Sequence, residues 1–282
     1  MTDERLSLQN LVRGAVVRVQ DALLHHAAIA YLYILPALGL VMSDAFDAAL
    51  LILLRRPPED GVGLATALYG LAVLFWGAFI MTSWYRLSLL GPAEYLKIDF
   101  ATLIKRTGRF LLYGIGIALM AVAVFYTVIA VFGLIATATG SAGQGLAATI
   151  GTPIAVASSL AIALRFLPAL AGAALGRAVG MGDAWRLTTG HSSRIIAAAL
   201  MLLIPVLLLS GLVEGGLTQV IFGPLDKDAD NATALAWIKG SMLITIALAP
   251  LSGAANALLT AVAAELYARL VGPPLDARGM EV

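Results

Sequence analysis

Residues 164–209 read LRFLPALAGAALGRAVGMGDAWRLTTGHSSRIIAAALMLLIPVLLL, and this stretch decides the fold class. Its middle carries Arg177, Asp183, Arg186 and Arg194, whereas the sequence on both sides is mostly apolar. Each apolar block belongs to a run long enough to cross a bilayer, since about 20 helical residues span the hydrocarbon core. We therefore expect a membrane helix, a short helix at the membrane surface and a second membrane helix.

The composition extends this interpretation to the whole chain. Of 282 residues, 60% are hydrophobic and only 12% are charged, and the mean hydropathy is +0.92. Soluble domains are roughly half apolar and about a quarter charged, so a soluble core could not absorb this much apolar surface. The absence of cysteine excludes disulfides, thiolate metal sites and a cysteine nucleophile. The first residues have no apolar core of a secretory signal, so we expect the first membrane helix to direct insertion.

The sequence predicts an all-α polytopic membrane bundle with about six transmembrane helices and interfacial amphipathic helices. One integral membrane domain covers residues 1–282, with the first three spans in 25–136, the last three in 147–270 and a cytoplasmic tail at 271–282. The individual spans are expected at about 25–43, 64–85, 110–136, from 147 towards 165–176, 195–214 and 240–268.

Residues 1–24 are predicted to form an N-terminal amphipathic helix. Leu8, Leu11, Ala15, Val19 and Leu23 recur on one helical face, and polar residues occupy the other. Such a helix could lie among cytoplasmic headgroups, or it could cap the protein itself. The pattern alone does not choose between these alternatives.

Shorter elements are expected between the spans. Residues 48–54 read as an interfacial helix, and 55–63 as a turn containing two prolines and mixed charge. Asp99 is expected to cap a short surface helix that stops at Thr107 and Gly108. The basic loops 84–109 and 163–194 resemble one another, through shared loop geometry or an old duplication.

The distribution of positive charge predicts the orientation. With a cytoplasmic N-terminus, 14 of the 18 Lys and Arg residues fall in inner segments. Only Arg55, Arg56, Lys227 and Lys239 fall outside. Cytoplasmic loops are enriched in Lys and Arg, so both termini are expected in the cytoplasm.

Residues 165–205 resemble a pattern found in a group of bacterial integral membrane proteins, most of which carry no assigned activity. The positions that match are Arg165, Gly176–Arg177, Ala184–Trp185–Arg186, Thr188, Thr189 and Gly190. This group is similar to the membrane domain that precedes some glycerophosphodiester phosphodiesterases. The resemblance implies a multi-pass protein of the bacterial inner membrane. His191 follows Gly190 where these proteins often carry an aromatic residue, and no phosphodiesterase activity is expected here.

The candidate contacts with lipid or a partner surround the predicted surface helix. They are Arg165, Arg177, Trp185, Arg186 and Arg194, because tryptophan favours the interface and arginine favours an anionic leaflet. An equally plausible alternative is that this helix only anchors the fifth span.

The candidate intramembrane polar residues are Asn256, Thr260 and Glu265. A charge at the bilayer centre costs about 2.5–3.5 kcal/mol on insertion scales, so such groups should face protein, water or headgroups. A row of small residues, Gly253, Ala257 and Ala261, lies beside them. We favour packing between helices over a pore lining, and a pair between Arg165 and Glu265 is possible.

These observations favour a non-enzymatic inner-membrane protein, either a scaffold or a lipid-associated membrane-integrity factor. The alternative is a transporter or channel for a small solute or lipid. No acid, base and nucleophile converge in a recognisable motif, and no metal site or cofactor is expected. The expected partners are membrane lipids and a second copy or another membrane protein, and nucleic acid is not expected.

Overall fold

The computed structural model describes residues 7–41, 64–139, 147–177, 179–225 and 230–272. Within these ranges the chain forms ten α-helices, one π-helical turn and no strand. The predicted all-α polytopic bundle is therefore confirmed. The interfacial helix expected at 48–54, the turn at 55–63 and the tail from residue 273 lie outside the described residues.

The described helices are numbered in chain order. They are α1 (Leu8–Asp21), α2 (Leu23–Val41), α3 (Leu64–Leu90), α4 (Phe100–Thr139), α5 (Thr152–Arg165), α6 (Leu167–Leu175), α7 (Met181–Thr188), α8 (Ser192–Phe222), α9 (Asn231–Ala247) and α10 (Ala249–Leu270), with the π-helical turn at Ala147–Gly151.

Five described segments are long and apolar enough to cross a membrane. They are Gly70–Leu90, Phe100–Ala138, Thr149–Leu175, Ser192–Phe222 and Ala249–Leu270. Shorter apolar helices cover Leu23–Ile34 and Ala232–Ala247. The chain thus has the helices of a multi-pass membrane protein, and the predicted number of six spans is approximate.

Helix α10 lies at the centre of the bundle and α4 at its outside. α10 packs against α1, α2, α3, α6 and α8. By contrast, only 6% of the most apolar window of α4 is buried, and Leu112, Leu119 and Leu134 are largely exposed. A helix whose apolar side chains point outward needs an apolar solvent, which a bilayer supplies.

Helix α1 packs its apolar face on the protein. Leu11 and Ala15 are completely buried against α10 and α8. Leu23, which the sequence pattern places on the same face, instead begins α2 and is 61% exposed. Of the two alternatives for this helix, the structure shows the cap on the protein.

Helix α4 continues through the position where the sequence analysis predicted a stop. Asp99 does cap the helix, since its Oδ1 accepts a 2.8 Å hydrogen bond from the Thr102 amide. The stop at Thr107 and Gly108 is wrong, and α4 runs for 40 residues. A glycine inside a helix costs only about 1 kcal/mol relative to alanine, and burial of Thr107 and Phe110 offsets that cost.

Two further helix ends differ from the prediction. Arg86 does not end the second span, because its side chain is buried and its Nε donates to the Tyr95 carbonyl at 3.0 Å, so α3 reaches Leu90. The predicted sixth span is two helices, α9 and α10, which meet at Leu248. Pro250 follows within the first turn of α10, where its missing N–H interrupts the ladder of a continuous helix.

The two basic loops fold differently. The first forms a short turn before α4, whereas the second contains α6 and α7. α6 is almost completely buried between α3, α4 and α10. The likeness between the two loop sequences therefore does not extend to their helices.

Candidate functional site

The ends of several helices meet at one end of the bundle, which we call the basic end. It contains Arg18 of α1, Arg86 of α3, Arg106 of α4, Arg165 of α5 and Arg269 of α10. Contacts of Arg18 with Ser88 and Glu265 join α1, α3 and α10 there. This is the end that the charge distribution predicts to be cytoplasmic.

Helix α7 begins and ends with local capping contacts. Oδ2 of Asp183 accepts a 3.3 Å hydrogen bond from the Gly180 amide, and Oδ1 accepts one from Arg186. The Arg186 hydrogen bond, followed by that of the Gly180 amide, lowers the pKa of Asp183 below its usual value. After the helix, Gly190 adopts φ +84°, a conformation that favours glycine.

The side chain of Arg165 binds the C-terminal end of α7. Its guanidinium carbon lies 3.4 Å from the centroid of the Trp185 ring. Its Nη2 donates to the Trp185 carbonyl at 3.0 Å and to Thr189 Oγ1 at 2.8 Å, and its Nε donates to Thr188 Oγ1 at 3.3 Å. A cation that caps the carbonyls of a helix C-terminus stabilises that end. Arg165 therefore positions α7.

The five predicted contact residues divide into two groups. Trp185 is 40% exposed, and the side chain of Arg186 is 81% exposed. Arg177 and Arg194 are half-buried, and Arg177 lies near the Tyr267 hydroxyl. Trp185 and Arg186 are therefore the exposed members of this set, and Arg177 and Arg194 are partly covered by the protein.

A basic pocket lies beside this group, and the sequence analysis missed it. Thr102, Lys105, Arg106 and Arg109 of α4, with Gly176 at the end of α6, line a space of about 220 Å³. The four α4 residues follow the spacing i, i+3, i+4 and i+7, which puts them on one face of a helix. This spacing is visible in the sequence and is the local signal of the pocket.

Gly176 allows α6 to approach Arg106 closely. Its φ of +78° lies in the left-handed region, where it ends α6. A Cβ atom at this position would lie 2.8 Å from Nε of Arg106. The pocket wall therefore requires glycine both for its backbone and for its space.

Glu265 is held by two arginines, neither of which is Arg165. Its Oε2 accepts from Arg18 Nε at 2.9 Å, and its Oε1 accepts from Arg269 Nε at 2.7 Å. The carboxylate lies against Gly14, where a Cβ atom would be 2.5 Å from Cδ of Glu265. This cluster fastens α1 to α10.

The other two predicted intramembrane polar residues, Asn256 and Thr260, precede Glu265 in α10. Thr260 is completely buried, and its Oγ1 is 3.1 Å from that of Ser88. Asn256 is half-buried. Both positions belong to a helix that packs against α2 and α3.

The row of small residues on α10 faces α2 and α3. A Cβ atom on Gly253 would lie 2.6 Å from Cβ of Ala30 and 3.3 Å from the Trp84 ring. Ala257 and Ala261 are buried. The row brings helix backbones close together, as small residues do in membrane bundles.

Across the described ranges, no group of three or more His, Asp or Glu residues could hold a metal ion. Searches of protein-family models, curated proteins and solved structures gave no match to this chain.

Proposed function

We propose that this protein is a non-enzymatic bacterial inner-membrane protein that acts as a scaffold or a lipid-associated membrane-integrity factor. The observation that carries the proposal is the stacking of Arg165 on Trp185 at 3.4 Å, which fixes α7 while Trp185 and Arg186 remain exposed. The partners we propose are anionic lipids and a second copy or another membrane protein.

The two sides of α7 support this proposal. Ala184 and Thr188 are completely buried against the bundle, and Trp185 and Arg186 lie on the exposed side. Tryptophan is favoured at the headgroup level, and each arginine near an anionic leaflet contributes about 1 kcal/mol. Because α7 is already held by Arg165, little conformational entropy is lost when this surface binds.

We propose that the basic end faces the cytoplasm and that both termini lie there. The proposal rests on the excess of Lys and Arg in the segments that connect at this end. In that orientation α7 faces the inner leaflet, whose anionic lipids attract arginine.

A complementation experiment tests the function. A strain that lacks the protein should become sensitive to detergent and osmotic shock, and the wild-type chain should restore resistance. Trp185→Ala with Arg186→Gln should fail to restore it, whereas Arg13→Gln, which also removes an exposed arginine, should succeed. Full complementation by the double variant, at equal membrane abundance, would refute the role of this surface.

One observation favours a transporter as the second candidate. Helices α9 and α10 follow one another with a break at Leu248. Discontinuous helices of this kind accompany substrate sites in many transporters. Glu214 lies near the break, where its Oε2 accepts from Thr245 at 3.2 Å. Its buried Oε1 has no hydrogen-bond partner among the described residues. Accumulation of one solute in the deletion strain, abolished by wild type but not by Glu214→Gln, would support this alternative.

A further inference from the structure

The basic pocket between α4 and α6 is separate from the exposed surface of α7. Its volume of about 220 Å³ is several times the roughly 30 Å³ that a water molecule occupies in the liquid. A phosphate group with bound water therefore fits. Thr102 contributes a hydroxyl, and Lys105, Arg106 and Arg109 contribute positive charge.

The positive charge of the pocket is not neutralised within the described part of the chain. Lys105, Arg106 and Arg109 form no ion pair with any described carboxylate. Burial and the neighbouring Arg109 disfavour the charged form of Arg106, and Asp99 favours it. Like charges one helical turn apart repel each other and destabilise a helix. A bound anion would remove that repulsion.

The cations of the pocket differ in exposure. Arg106 is half-buried, with its guanidinium packed against the backbone at Gly176. Lys105 and Arg109 are exposed at the mouth of the pocket. The guanidinium of Arg106 is thus held in place, and the exposed side chains of Lys105 and Arg109 can reach a ligand at the mouth of the pocket. Arginine binds phosphate oxygens through two parallel hydrogen bonds, which adds geometric selectivity.

The surroundings of the pocket indicate the source of the phosphate. Phe100 is 71% exposed and Leu112 is 70% exposed, on either side of the cations along α4. Beyond Leu112, exposed apolar side chains continue at Ile115, Leu119 and Val122. A ligand with its phosphate in the pocket could therefore lay acyl chains along α4. Basic pockets between membrane helices bind anionic lipid headgroups in this way.

We propose that this pocket binds the phosphate of an anionic phospholipid, held by Arg106, Arg109 and Lys105. The proposal deepens the proposed function and rests on its lipid association, but it assigns the lipid to a specific site. The bound lipid joins α4 to α6, and through α6 to the core of the bundle.

Native mass spectrometry of the full chain, purified in detergent, tests the site. Phosphatidylglycerol and phosphatidylcholine are added in equal amounts, so that both lipids carry a phosphate but only the first is anionic. The wild type should retain phosphatidylglycerol preferentially. Lys105→Gln with Arg109→Gln should weaken that binding about 30-fold, the expected loss for two cation contacts of about 1 kcal/mol each. The control, Arg13→Gln with Lys97→Gln, removes two exposed cations elsewhere and should leave it unchanged.

Three outcomes would overturn the proposal. The first is an unchanged preference in the Lys105 and Arg109 variant, and the second is an equal loss in the control. The third is displacement of phosphatidylglycerol by an equal concentration of inorganic phosphate, which would indicate a site for the free anion. If the double variant does not fold, Arg109→Gln alone should weaken binding about fivefold. An unchanged affinity in that single variant would equally refute the site.

Mass spectrometry of the purified protein tests the lipid site independently of the proposed function. A deletion strain without an envelope defect would refute the membrane-integrity role, but it would not alter the mass spectrometry result. Conversely, loss of the lipid preference only in the Trp185 and Arg186 variant would assign the lipid to α7 and refute the pocket.

Discussion

Arg18 and Glu265 are 247 positions apart in the sequence, and Nε of Arg18 donates a 2.9 Å hydrogen bond to Oε2 of Glu265. The same arginine donates through Nη1 to the Ser88 carbonyl at 2.9 Å. One side chain of α1 thus holds the ends of α3 and α10 together. This contact adds to the burial of Leu11 and Ala15, which packs α1 against the bundle.

Glu265→Gln should lower the stability of the protein. Gln keeps the size of the side chain but removes the charge that faces Arg18 and Arg269. Breaking a buried ion pair costs about 3–5 kcal/mol, and partial exposure of both arginines reduces our expectation to about 2 kcal/mol. Thermal unfolding in detergent measures the change.

The matched control for this variant is Glu94→Gln, which breaks the exposed pair between Glu94 and Lys97. Exposed ion pairs contribute little to stability, so the thermal unfolding midpoint of this variant should stay within about 1 °C of that of the wild type. Equal midpoints for both variants would show that Glu265 does not fasten α1 to α10.

Gly253→Leu and Ala257→Leu should each reduce the yield of folded protein. The added side chain would meet Ala30 and Trp84 at Gly253, where even a Cβ atom has no room. Overpacking of this kind typically costs about 1–3 kcal/mol. Gly133→Leu is the control, because nothing lies within 4 Å of a Cβ atom there. Size-exclusion chromatography compares the yields, and an unchanged yield for both α10 variants would place the row against lipid.

The capping of α7 by Asp183 should depend on pH. Hydrogen bonds from Arg186 and then Gly180 lower the pKa of this carboxyl below the ordinary 3.8. Because the folded pKa is the lower one, the cap is fully effective above pH 3.8 and is lost as the pH falls through the folded value. NMR of fluorotryptophan at position 185 should report this change only under strongly acidic conditions.

Asp183→Asn provides the control for the pH experiment. Asparagine can still accept the hydrogen bond from Gly180, but it does not titrate in this range. A transition near position 185 that persists in Asp183→Asn would belong to another group.

Reporter fusions test the orientation. Fusions after Lys105 and Arg186 should report the cytoplasm, and fusions after Asp60, Gly143 and Asp228 should report the periplasm, because Lys and Arg accumulate in the inner segments. A cytoplasmic signal from any of the last three positions would contradict the arrangement with six spans.

The sequence by itself determined the features that depend on residues close together in the chain. A run of apolar residues long enough to cross a bilayer must be a helix, because its backbone groups have no other partners there. The cap at Asp99 also follows from the local sequence, because its carboxylate accepts from the amide three residues later. The turn at Gly190 follows from the freedom of glycine to adopt positive φ.

Only the tertiary structure decided which polar residues are exposed and which are paired. Arg165 and Arg186 are alike in sequence, yet one packs under Trp185 and the other points outward. Helix α4 passes through Gly108 because burial of its neighbours outweighs a small local penalty. The partner of Glu265 and the pocket at Arg106 and Gly176 depend on contacts between distant segments. Such contacts arise when whole helices pack together, and no local sequence pattern predicts them.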